Sequence, residues 1–80
     1  MIKLSPHDVR RARQRMGMTQ SELASALGLS GSGRDTVRCW EMDADLPKHR
    51  DITGPATLAL LALLDDWIPI SREKFERIVG

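Results

Sequence analysis

The sequence predicts an all-α protein, a compact bundle of about five short helices. Three observations lead there. No stretch of useful length alternates apolar and polar residues with period 2, so strands have no signal. Helix-start signals recur instead: Ser5-Pro6 with Asp8, Thr19 with Glu22, and Thr53-Gly54-Pro55. The third is size: 80 residues, 41% hydrophobic and 29% charged, are enough for one small core and no second domain. Trp40, Trp67 and Phe75 are the only aromatics, which speaks against a β-sandwich or a stacking platform for single strands.

Each element has a local reason. Ser5 is an N-cap, Pro6 takes the first helical position and Asp8 places an acid in the first turn. That helix runs to Met16, with Val9, Ala12 and Met16 at helical spacing, and Gly17 supplies a left-handed stop. Thr19-Gln20-Ser21-Glu22 is a capping box that opens a second helix over 20–27, with Leu23, Ala24 and Leu27 as its apolar stripe and Gly28 as its end. Ser30-Gly31-Ser32-Gly33 reads as a loop. A third helix, about 34–42, buries Val37 and Trp40 with Glu41 nearby. Asp43 to Thr53 lacks any period and contains Pro47, so it is a long surface connection. A fourth helix starts at Thr53-Gly54-Pro55 and runs to about Trp67. Ile68-Pro69-Ile70 breaks it, and Ser71 caps a last helix over Arg72–Val79.

Several functions find no support. One cysteine, Cys39, allows neither an internal disulfide nor a cysteine-based zinc site. His7 and His49 stand in no catalytic or metal-ligand spacing, and Asp65-Asp66 are adjacent with diverging side chains. The expectation is therefore no enzyme, no cofactor, no metal and no small-molecule effector. No signal-peptide pattern is present, and the longest apolar run, Pro55 to Leu64, is too short to span a bilayer. A reduced, cytoplasmic protein with no membrane partner is expected.

The centre of the chain carries the functional signal. A basic helix precedes two short helices joined by a glycine- and serine-rich connection, the helix-turn-helix arrangement. The residues Arg13-x-x-x-Gly17-Met18-Thr19-Gln20-Ser21-Glu22-Leu23-Ala24, Leu27-Gly28-Leu29-Ser30 and Thr36-Val37-x-x-Trp40-Glu41 resemble the Cro/cI-like (XRE, lambda-repressor-like) family. The resemblance covers about residues 6 to 67. It departs in two places: Gly31 to Asp35 put five residues where the family has about two, and Asp43 stands where glycine is frequent.

The resemblance implies a sequence-specific regulator of double-stranded DNA, with the helix at 34–42 in the major groove. Repression is its default action, of the autoregulatory, phage or mobile-element type. Aligned on Thr36-Val37-x-x-Trp40-Glu41, Arg34, Asp35 and Arg38 fall where the family reads bases. Arginine can pair with guanine O6 and N7, and Asp35 can accept from cytosine or hold Arg38. Asp35 as a simple capping acid is an equal alternative. Thr36 is assigned to a thymine methyl or a phosphate. Thr19, Gln20 and Ser32, with Arg11 and Arg15 of the first helix, are assigned to phosphates.

Charge supports that assignment. Residues 1–41 hold seven Lys/Arg against four Asp/Glu, and residues 42–80 hold five against seven, so the overall +1 conceals a basic front half. The fourth helix is apolar nearly all round, which calls for burial on two sides. We expect it to form a two-fold homodimer with the C-terminal segment, through Leu60, Leu63, Leu64, Trp67, Ile70 and Phe75; the alternative is a monomer whose last helix folds back over the fourth. Such symmetry would place two reading helices ~34 Å apart on a pseudo-palindromic operator. Residues 1–67 then form the DNA-binding domain. Residues 68–80 are a short helix of the same domain at the dimer interface. The competing reading is a protein-interaction module on the same scaffold, antitoxin-like or polymerase-binding.

Overall fold

The computed structural model describes residues 3–29, 31–64 and 72–80, apart from the side chain of Lys74. Five helices follow in order: α1 (Pro6–Arg15), α2 (Gln20–Ala26), α3 (Gly33–Glu41), α4 (Gly54–Leu63) and α5 (Arg72–Val79). The described residues contain no strand. None of these helices is long and apolar enough to cross a membrane.

The first two helices begin on reciprocal caps. The Asp8 amide donates to Ser5 Oγ at 3.2 Å, and the Ser5 amide donates to the Asp8 carboxylate at 2.9 Å. Thr19 and Glu22 repeat the arrangement, at 3.1 and 2.8 Å, and these bonds hold the Glu22 carboxyl below its ordinary pKa. Four backbone donors that the helix cannot satisfy are thus reduced in number at each start. Gly17, at φ 69°, occupies the left-handed region just after α1 and lets the chain turn tightly into α2.

The start of α3 differs from the sequence expectation. Gly33 is its first residue and is buried, whereas composition places it in the loop. The reason is contact with Ala24 of α2 and with Leu29 in the connection that follows it. A Cβ on Gly33 would lie 2.8 Å from Leu29 Cβ and 3.1 Å from Ala24 Cβ, so only glycine lets α3 approach that closely. Gly33→Ala should destabilise the fold by about 1–3 kcal/mol through overpacking. A urea midpoint unchanged from that of the parent would contradict this close-approach role.

The core gathers side chains from every helix: Val9 and Ala12 from α1, Leu23 and Ala24 from α2, Val37 and Trp40 from α3, Leu60 and Leu61 from α4, and Phe75 from α5, with Leu4 and Leu64. Leu27 packs half-buried at its edge. α4 is described over Gly54–Leu63, with Leu64 as its C-cap, and the expected continuation to Trp67 lies outside the described residues. Trp67, Ile70 and the Ser71 cap lie outside the described residues.

α5 folds back onto α1. Phe75 is 1% exposed, and the charges around it are matched. Arg72 donates to both Asp8 carboxylate oxygens, at 2.8 and 2.9 Å, and Arg11 makes a two-pronged contact with Glu76. Burial alone would raise the Asp8 pKa. The hydrogen bonds from Arg72 and Ser5 outweigh it and hold the carboxyl below its ordinary range.

This packing corrects part of the expected dimer surface. Leu60, Leu64 and Phe75 are buried inside one chain and offer no surface to a second copy. Phe75 of α5 belongs to the same core cluster as Leu60, Leu61 and Leu64, as the fold-back alternative expects. Of the expected interface residues that are described, only Leu63 is exposed, at 37%, with Leu58 exposed at 43% on the same helix.

Candidate nucleic-acid interface

The orientation of α3 is set by a carboxylate buried beneath it. Glu41, at the last position of α3, has a side chain only 2% exposed. It accepts from Arg13 Nε and Nη2 at 2.6 and 2.9 Å, and from the Gln20 amide at 3.3 Å. Arg10 adds a longer ion pair at 3.6 Å and donates to the Glu41 carbonyl at 3.2 Å. Arg13 also donates to the Met18 carbonyl at 2.9 Å, in the link between α1 and α2. One carboxylate therefore joins α1, the start of α2 and the end of α3. The bonds to Glu41 raise the Arg13 pKa, against the opposing effect of its burial.

The outer face of α3 is left to solvent. Arg34 and Arg38 are exposed and one helical turn apart, with Asp35 exposed between them. Among the described residues, none of the three makes a side-chain hydrogen bond or ion pair. Asp35 thus neither caps α3 nor holds Arg38 among those residues. Thr36 is half-buried, and its hydroxyl donates to the Ser32 carbonyl at 3.4 Å. Ser32 is exposed and its side chain does not cap the helix.

The residues assigned to phosphates are more dispersed. Thr19 is exposed, but its hydroxyl accepts the Glu22 amide as a cap. Gln20 turns its amide inward to Glu41, so its side chain positions the hub rather than projecting into solvent. Arg11 is matched by Glu76 and Asp8 on the α5 side of α1, which corrects its reading as a free phosphate ligand. Arg15 is exposed and donates to the Ile78 carbonyl, again toward α5. The structure brings together Arg34, Asp35, Thr36 and Arg38 on α3, and does not bring Arg11 and Arg15 to them.

A groove runs beside α3. It is lined by Asp35, Thr36, Cys39 and Trp40 from the helix and by Arg50, Asp51 and Thr53 from the connection before α4. Arg50 is held there by its amide, which donates to the Cys39 carbonyl at 3.2 Å. Sequence reasoning missed Arg50 because the connection has no period. It noted Glu41 only as a neighbour of the core. The usable signal was an acid at i+4 from Val37, on the stripe that faces inward.

His49 contacts Asp51 through one ring nitrogen and the Met42 carbonyl through the other. No group of three His, Cys, Asp or Glu side chains stands close enough to hold a metal among the described residues.

No family model matches the chain, and no solved structure matches it. A stretch of 46 residues is 40% identical to part of a type II methyltransferase, M1.ScrFI, from Lactococcus lactis subsp. cremoris. The match takes in 58% of this chain but only 12% of the methyltransferase.

Proposed function

We propose that the protein is a sequence-specific double-stranded DNA-binding transcriptional regulator, acting as a repressor by occluding a promoter. α3 enters the major groove, and Arg34, Asp35, Thr36 and Arg38 meet base edges. The observation that carries this reading is the pair of exposed arginines, Arg34 and Arg38, one turn apart on a helix whose orientation is fixed by the buried Glu41 hub. Arg10, Arg11, Arg13 and Arg72 are each within ion-pair distance of a carboxylate, whereas these two face solvent. The basic balance of the first 41 residues favours approach to a polyanion.

The methyltransferase match covers only 12% of that protein. We therefore carry over no methyl transfer to this chain. The proposal keeps a two-fold homodimer on a pseudo-palindromic operator, built on surface that includes Leu63 rather than on the buried Leu60, Leu64 and Phe75. Sedimentation at micromolar concentration, with and without DNA, tests it; a monomer under both conditions rejects the dimer.

Selection of DNA from a random pool by the purified protein tests the central claim. Arg38→Ala should then weaken the selected site by about 1–3 kcal/mol and relax base preference, while random duplex is affected far less. Equal losses on both would deny Arg38 a reading role. Absence of any duplex binding at low salt would reject the DNA reading and favour the protein-interaction module.

A further inference from the structure

The connection from Met42 to Thr53 is closed on itself by one imidazole. The His49 side chain is 11% exposed and uses both ring nitrogens. Nδ1 lies 2.8 Å from the Met42 carbonyl oxygen, and Nε2 lies 2.7 Å from Asp51 Oδ1. A carbonyl oxygen only accepts, and so does an ionised carboxylate. A neutral imidazole has one donor and one acceptor, so either tautomer sets a lone pair against an oxygen at under 3 Å. Only the imidazolium donates to both.

These two bonds bracket Arg50, and Arg50 and Asp51 are the residues that line the α3 groove together with Asp35, Thr36 and Cys39. We propose that His49 is a proton-operated clasp: charged, it fixes the Arg50–Asp51 wall of the groove against α3, and on losing its proton it gives up one bond and releases that wall. The inference concerns the free protein and does not depend on what α3 binds.

The surrounding charges agree. Asp51 is the charged side chain that touches the ring, and Lys3 of the N-terminal segment acts on Asp51 in turn. The connection itself carries Asp43, Asp45, Lys48 and Arg50, α3 contributes Asp35 to the groove, and the first turn of α4 carries no charge. The Asp51 bond raises the His49 pKa; partial burial opposes it, and the Met42 and Cys39 carbonyls add to the rise. His49 and Lys3 both hold the Asp51 carboxyl low, so it stays ionised throughout. Because the folded pKa is raised, the clasp is complete below the ordinary histidine value of about 6.5 and is lost as pH rises through the folded value.

An NMR titration of the intact, DNA-free chain tests this. His49 should titrate above the ordinary histidine value of about 6.5. The protection factor of the Arg50 amide, corrected for intrinsic exchange, should fall several-fold over the same pH interval. Asp51→Asn, at a side chain 67% exposed, should move the His49 midpoint down while the helices remain intact. A His49 midpoint at or below about 6.5 overturns the clasp. So does an Arg50 protection factor that stays level through the titration, or a midpoint unmoved by Asp51→Asn.

Discussion

Replacing Glu41 with alanine should lower the free energy of unfolding by about 3–5 kcal/mol. The size follows from what is left behind. Glu41 is 2% exposed at its side chain, and Arg13, its principal partner, is 15% exposed. Alanine removes the acceptor of two Arg13 bonds and of the Gln20 amide, leaving a partly buried guanidinium without a counter-charge. The Arg10 ion pair adds little, since that side chain is half exposed. A domain of 80 residues has roughly 4–12 kcal/mol in all, so the variant sits near the edge of folding. Glu41→Gln keeps the shape and one acceptor and should lose less. Adding Arg13→Met to Glu41→Ala should restore part of the loss, because the stranded charge goes with it. Urea unfolding followed by circular dichroism measures all three. A loss under 1 kcal/mol for Glu41→Ala would mean the hub does not hold α1, α2 and α3 together.

The contrast between what could and could not be read from the chain is physical. The caps at Ser5 and Thr19 were legible because each is settled within four residues. The bounds of α5 were legible too, as were the exposed Arg34 and Arg38, whose places follow from the inward stripe of Val37 and Trp40. Glu41 was not legible as a hub, since its partner Arg13 stands 28 positions earlier and no local pattern couples them. Gly33 gave no signal because the approach of Leu29 and Ala24 to it depends on how α3 packs against α2 and the connection between them. The dimer assignment failed at Leu60, Leu64 and Phe75 for a different cause. Apolar burial is non-directional, so an all-round apolar helix states that it needs cover on two sides but not whose side chains provide it. Here Phe75 of the same chain belongs to that cover.

Phe75→Ala separates those two origins of cover. The side chain is 1% exposed within one chain, and truncating it should cost about 3–5 kcal/mol through lost burial and an incompletely filled cavity. For a domain this small that corresponds to a fall in Tm on the order of 15–30 °C. The loss extends beyond the ring. The Arg72 guanidinium lies 5.4 Å from the Phe75 ring centroid while it donates to Asp8, so the ring helps to seat the ion pair that ties α5 to α1. Phe75→Ala combined with Arg72→Ala should therefore cost less than the two single losses added together. The deciding measurement is thermal unfolding at protein concentrations a hundredfold apart. A core residue lowers Tm by the same amount at both. A residue buried only between two copies would shift the monomer–dimer balance, and its effect on Tm would change with concentration. Concentration-dependent loss would return Phe75 to the interface and leave the α1–α5 contact unable to account for the stability of a single chain.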